Sequence, residues 1–204
     1  NATGTDGGAG IGGGNECSGE VITITGGTVN AAGGDYGAGI GGGISGSGKN
    51  ITIAGGRVTV AGGDYGAGIG GGFQGNGKNI IITGGRVAAA GRLGGAGIGG
   101  GDQGNGEDIT ITDGTVNAAG GVSGAGIGGG VNGIGSKVTV SGAAQVTAIA
   151  GKPGWNGNGY GAGATIGDGS KRTYENGVYT YSDGKEIQAD IDGLTTGYIH
   201  HIIY

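Results

Sequence analysis

Three carboxylates return at one position of a 29-residue period: Asp35 and Asp64 share a column, and Asp6 joins them when the first residues, Asn1 to Gly7, are aligned on Asn30 to Tyr36. Stacked at about 4.8 Å, like charges repel unless a cation intervenes. A calcium ion held by these carboxylates and nearby backbone carbonyls is therefore the candidate cofactor, with solvated turn aspartates as the alternative. In the next column stand Tyr36 and Tyr65, whose rings could carry the flat face of a sugar or fold over one another as turn residues. Arg57 and Arg86 form a short basic ladder, with Lys49, Lys78 and Arg92 nearby. Trp155 and Tyr160, which open an aromatic-rich tail, complete the candidate ligand contacts.

Other constellations carry less chemistry. Thr23, Thr52, Thr110 and Thr139 make an outward ladder interrupted by Ile81, a flat array of the kind that could meet ice and equally one that any exposed strand favours. His200 and His201 are neighbours, so on a strand they point to opposite faces and cannot chelate one metal together. Cys17 is the only cysteine and falls in a column otherwise filled by Gly46, Gly75, Gly104 and Gly133. That excludes a disulfide framework and a cysteine metal site. With 10 basic against 15 acidic residues and no basic cluster, neither nucleic acid nor anionic lipid is an expected partner. No apolar run reaches the length of a membrane span.

The elements that position these side chains are set by repetition. Gly-Ala-Gly-Ile-Gly-Gly-Gly begins at Gly8, Gly37, Gly66, Gly95 and Gly124, always one full period apart. A fixed period means one unit stacked on copies of itself. Glycine fills 64 of 204 positions, yet one proline and no sustained Gly-X-Y repeat argue against collagen. Ile51-Thr-Ile53 and Val58-Thr-Val60 alternate with period two between glycine pairs, which predicts short strands and tight corners. With Gly37 to Gly41 as a third strand, the chain is expected to be all-β, a parallel β-helix of three strands per coil. Ile22, Ile51, Ile80, Ile109 and Val138 then make one inward ladder, and Val29, Val58, Val87, Val116 and Val146 another. The glycine strand has two readings: its glycines admit other backbone of the same protein, or they present a smooth outer face to a flat partner. Residues 1–152 are expected to be β-helix repeats, and 153–204 a degenerate last coil with a C-terminal β cap. The chain starts inside a repeat, so further coils or domains are expected upstream.

The run GAGIGGG, a Gly-rich turn, an Ile-Thr-Ile strand, a GG corner and a Val-rich strand resemble the glycine-rich repeats of large surface proteins of Gram-positive bacteria. The resemblance covers about residues 1–150. It implies a right-handed parallel β-helix of the pectin-lyase-like kind, secreted or attached to the cell wall, with a polysaccharide or host glycan as partner. Lyases of this fold use a basic residue beside acid-bound calcium. Here the acidic and basic columns lie on opposite sides of the Val strand, Thr28 and Thr115 replace arginine, and no inserted loop deepens a cleft, so an enzyme is not expected. The expected function is a non-catalytic, carbohydrate-binding or adhesive module, the alternatives being a structural stalk and a polysaccharide lyase or glycosidase.

Overall fold

A computed structural model describes residues 1–154 and 161–203. Within them the chain is all-β and winds into a parallel β-solenoid. Each coil contributes a glycine strand such as Ile40–Gly41, an Ile strand such as Gly48–Ile53 and a Val strand such as Arg57–Ala61. In the third and fourth coils the Ile and Val strands run together, as Gly77–Ala90 and Gly106–Ala119. Steps between coils are parallel and in register at the period of the sequence, as in Ile51 with Ile80 and Ile109 with Val138. Only this register keeps the period-two pattern facing one way, because a slip of one residue would turn every isoleucine out to solvent.

The core is an aliphatic column. Ile51, Ile53, Ile80, Ile82, Ile109 and Ile111 are fully buried and stack above one another, with Val58, Val87, Val116 and Val146 from the second face and Ile40, Ile69, Ile98 and Ile127 from the third. The third face is shorter than expected: only Ile-Gly pairs are strand. From the second coil on its glycines are buried, so there they present no smooth outer face to a flat partner. A Cβ on Gly37 would run into the Gly8 carbonyl, and one on Gly39 would come within 2.7 Å of the carbonyls of Ala61 and Gly68. Of the two readings of this strand, the first holds: the missing side chains make room for the backbone of adjacent coils.

Two further columns consist of residues other than glycine with left-handed backbone. Glu16, Ser45, Gln74, Gln103 and Asn132 form one, Val21, Asn50, Asn79, Asp108 and Lys137 the other. Asparagine and aspartate tolerate this conformation and a β-branched residue does not. Val21, at φ 57° and 76% exposed, is the misfit. Its column already carries an amide ladder, in which Asn79 Nδ2 donates to Asn50 Oδ1 at 2.7 Å. Val21→Asn is therefore expected to raise stability by about 1 kcal/mol, and a thermal melt at or below that of the parent would refute this.

Beyond the fourth coil the period loosens. Thr115 pairs with Gln145 and Ile127 with Ile166, so one residue has been inserted before the fifth Val strand and a longer stretch before the last glycine strand. Part of the tail leaves the stack and part of it lies on its end. Lys171–Glu175 and Val178–Ser182 form an antiparallel hairpin off the stack, turning at Asn176 and Gly177 with φ of 51° and 83°. Ser182 to Gly184, a Ser-Asp-Gly run that suits a second tight turn, closes no hairpin among the described residues. Instead Asp190 bridges Thr139, and Tyr198–Ile202 pairs in parallel with Gln145–Ile149, adding a sixth, partial coil. Ile191 and Ile203 remain exposed at its end. Of the tail's tyrosines, Tyr174, Tyr179 and Tyr181 lie on the hairpin and Tyr198 on the partial coil.

Candidate functional site

A shallow, open groove of about 630 Å³ runs along the outer face of the Val strands, across successive coils. Alternation produces it. Val58 and Val60 point inward, so Arg57, Thr59 and Ala61 point out, and the same holds one coil on for Arg86, Ala88 and Ala90. Ala32, Ala61, Ala90 and Ala119 give a floor of small side chains. Asn1, Asn30, Thr59 and Asn117 place amides and a hydroxyl along it, interrupted by Ala88. The Asn30 Nδ2 donates to Asn1 Oδ1 at 3.0 Å. The alternation that located the Val ladder also placed these residues outside; reading for charges and aromatic rings passed over a site made largely of alanine.

Arg57 and Arg86 are brought together in register on adjacent strands at the start of this face. Both are exposed, and neither has an ion-pair partner among the described residues. The other basic residues grouped with them are elsewhere and paired: Lys49 with Glu20 at 3.0 Å, Lys78 with Glu107 at 3.1 Å, and Arg92 with Asp64 at 3.1 Å. Lys137 also reaches Glu107 at 3.1 Å. Hydrogen bonds from Lys78 and Lys137 hold the Glu107 carboxyl below the usual glutamate range. This stripe neutralises itself.

The carboxylate column does not assemble. Among the described residues no three His, Cys, Asp or Glu side chains form a metal-holding group, so Asp6, Asp35 and Asp64 do not converge on one ion. Two local facts account for it. Asp64 is held by Arg92 from the next coil, and Asp6 is left-handed at φ 49° whereas its two counterparts are not.

Tyr36 and Tyr65 do stack, with ring centroids 5.8 Å apart and planes 8° from parallel. Phe73 lies 5.8 Å from each, so the pair is one side of a three-ring cluster rather than a bare platform. Two corners interlock here, because the Phe73 amide donates to the Tyr36 carbonyl and the Asp102 amide to that of Tyr65. One coil above Phe73 the corner carries Asp102, whose Oδ2 would lie 2.6 Å from a Cβ on Gly94, in the column of Tyr36 and Tyr65. Burial pushes the Asp102 carboxyl up to about 6, partly offset by the Arg172 guanidinium and a hydrogen bond with Gln103. Neither Phe73 nor Asp102 was marked by the sequence reading; the available signal was that Ile44, Phe73, Asp102 and Val131 place a side chain at one position of an otherwise glycine-rich corner.

The remaining candidates separate. Trp155 and Tyr160 lie outside the described residues. His200 and His201 are on the last Val-type strand, paired with Thr147 and Ala148, and fall on opposite faces as expected. The Nδ1 of His201 is 2.5 Å from the Thr165 hydroxyl, which donates to Glu186 at 2.9 Å. Those contacts tie the partial coil to the glycine strand. Cys17 is free and exposed.

The beta helix repeat family model matches residues 22–44, 51–73, 80–102 and 109–131, one match per coil. No curated protein and no solved structure matches the chain. Four matches at the 29-residue period and stacked coils in parallel register lead to one conclusion: this chain is a parallel β-helix repeat protein.

Proposed function

We propose that the chain is a non-catalytic, extracellular binding module that lays an extended polysaccharide along the groove over its Val strands. The observation that carries this reading is the groove itself: a long, open depression with an alanine floor and polar side chains at coil spacing. Alanine methyls accept the apolar face of a sugar, while Asn30, Thr59 and Asn117 can exchange hydrogen bonds with its hydroxyls. An extended β-linked glycan advances by a distance close to the coil spacing of about 4.8 Å, so successive units meet equivalent rungs. Extracellular placement goes with such a ligand.

The test is a polysaccharide array with the parent and with Ala61→Trp, which fills the floor from an outward position and leaves the core untouched. A defined glycan class should bind, and Ala61→Trp should weaken it at least about tenfold, the equivalent of about 1.4 kcal/mol. Tyr36→Ala and Tyr65→Ala should bind as the parent does. Loss in the tyrosine variants with Ala61→Trp intact would move the site to the aromatic corner, and silence across the array would favour a stalk.

A further inference from the structure

Resting on the groove reading, we infer that the polymer is anionic and that its carboxylate or sulfate groups are received by Arg57 and Arg86. These two guanidinium groups stand on adjacent rungs of the same outward column, with Thr28 before them and Thr115 after. In water-exposed positions about 4.8 Å apart in backbone spacing, two like charges raise each other's energy. Everywhere else in the described chain where basic residues stack, acid residues are placed among them, as Glu20 and Glu107 are beside Lys49 and Lys78. Here none is. Asp113, in the following coil, accepts the Gly114 amide at 2.6 Å instead. The pair is thus an uncompensated patch of positive charge on the outward face that carries the groove, two residues before its Thr59 and Ala88, in a chain whose net charge is −5. Guanidinium forks recognise carboxylate and sulfate oxygens in a directed, two-point manner, so the pair both attracts and orients. The neutral faces of the sugar remain for Ala61 and Ala90, and the acid groups meet the two guanidinium groups beside them.

The experiment measures affinity for two matched sets: polygalacturonate against its methyl ester, and dextran sulfate against dextran. The parent should bind at least one anionic polymer about tenfold or more tightly than its neutral counterpart, and the set in which it does so identifies the acid group. Arg57→Gln with Arg86→Gln should remove that preference, while Lys171→Gln with Lys185→Gln, which lowers the charge equally on exposed tail residues, should not. Equal loss in the two double variants would reduce the effect to the overall field and overturn the inference. Binding of neutral polymer that is sensitive to Ala61→Trp and indifferent to both arginines would also overturn it while leaving the groove reading in place. Anionic binding that depends on the arginines but survives Ala61→Trp would instead sink the groove reading. Both arginine side chains are exposed, so unchanged melting curves accompany every informative outcome.

Discussion

Gly77→Ala should destabilise the solenoid by several kcal/mol and is expected to abolish its cooperative melt. Gly77 stands in a column of glycines with Gly48, Gly106 and Gly135, and its backbone angle is one that alanine could adopt. Conformation is thus not the obstacle; space is. A Cβ there would press on the backbone oxygen, carbonyl carbon and Cα of Gly99, which belongs to the glycine strand of the next coil. No side chain can rotate away from that contact, so two strands would have to separate and open the Ile80 and Ile98 layers of the core. Because each coil rests on the next, the damage would spread along the stack. Gly26→Ala is the control: its Cβ would meet nothing within 4 Å, and it should be neutral or slightly stabilising, by roughly 0.5 kcal/mol. Comparable losses in the two variants, read by chemical denaturation, would mean that the glycine strand is not held by backbone contact.

That contrast explains what was legible in the sequence. The period, the parallel stacking and the inward Ile and Val ladders follow from spacing alone, since Ile51, Ile80 and Ile109 can be aligned without knowing any angle. The glycine strand was harder, because a glycine that makes a turn and one that admits a neighbour's carbonyl look alike in a string of letters. Left-handed columns such as Ser45, Gln74 and Gln103 were hidden for the same reason: a tertiary position imposes the angle on residues with no strong preference for it. At the candidate site, columns identified partners along one ladder but not across two. Arg57 and Arg86 meet because they share a column. Asp64 meets Arg92, and Tyr65 meets Phe73, across corners that no single column contains. The tail was harder to read for a third reason. Once the period broke after Val140, nothing in the aromatic residues themselves distinguished strands that project from the stack from strands that lie on its end.

Asp102→Asn tests one of those cross-corner contacts and should stabilise the protein at neutral pH by about 1.5 kcal/mol. The Asp102 carboxyl lies half-buried between the Tyr65 and Gly94 corners, and burial lifts it to about 6 from the ordinary 3.8. In the folded state it therefore holds its proton over a window in which the unfolded chain has already released it. Folded protein binds more protons than unfolded between pH 3.8 and 6, so the stability contributed by this group is present at pH 4 and is lost as pH rises through 6. Two pH units correspond to at most about 3 kcal/mol, and partial exposure reduces that to roughly half. Asparagine keeps the shape and removes the charge. Its gain should accordingly be large at pH 7, small at pH 4, and should grow across the window from 3.8 to 6, centred at about 5. Arg172 loses its acidic neighbour in the variant, and since it attenuates rather than causes the shift, the hairpin should stay docked through the bond from the Arg172 amide to Asn132 Oδ1 at 2.6 Å. An equal gain at pH 4 and pH 7 would show that the carboxyl is not held in an apolar corner, and a loss at pH 7 would show that its pairing with Arg172 outweighs the cost of burying it.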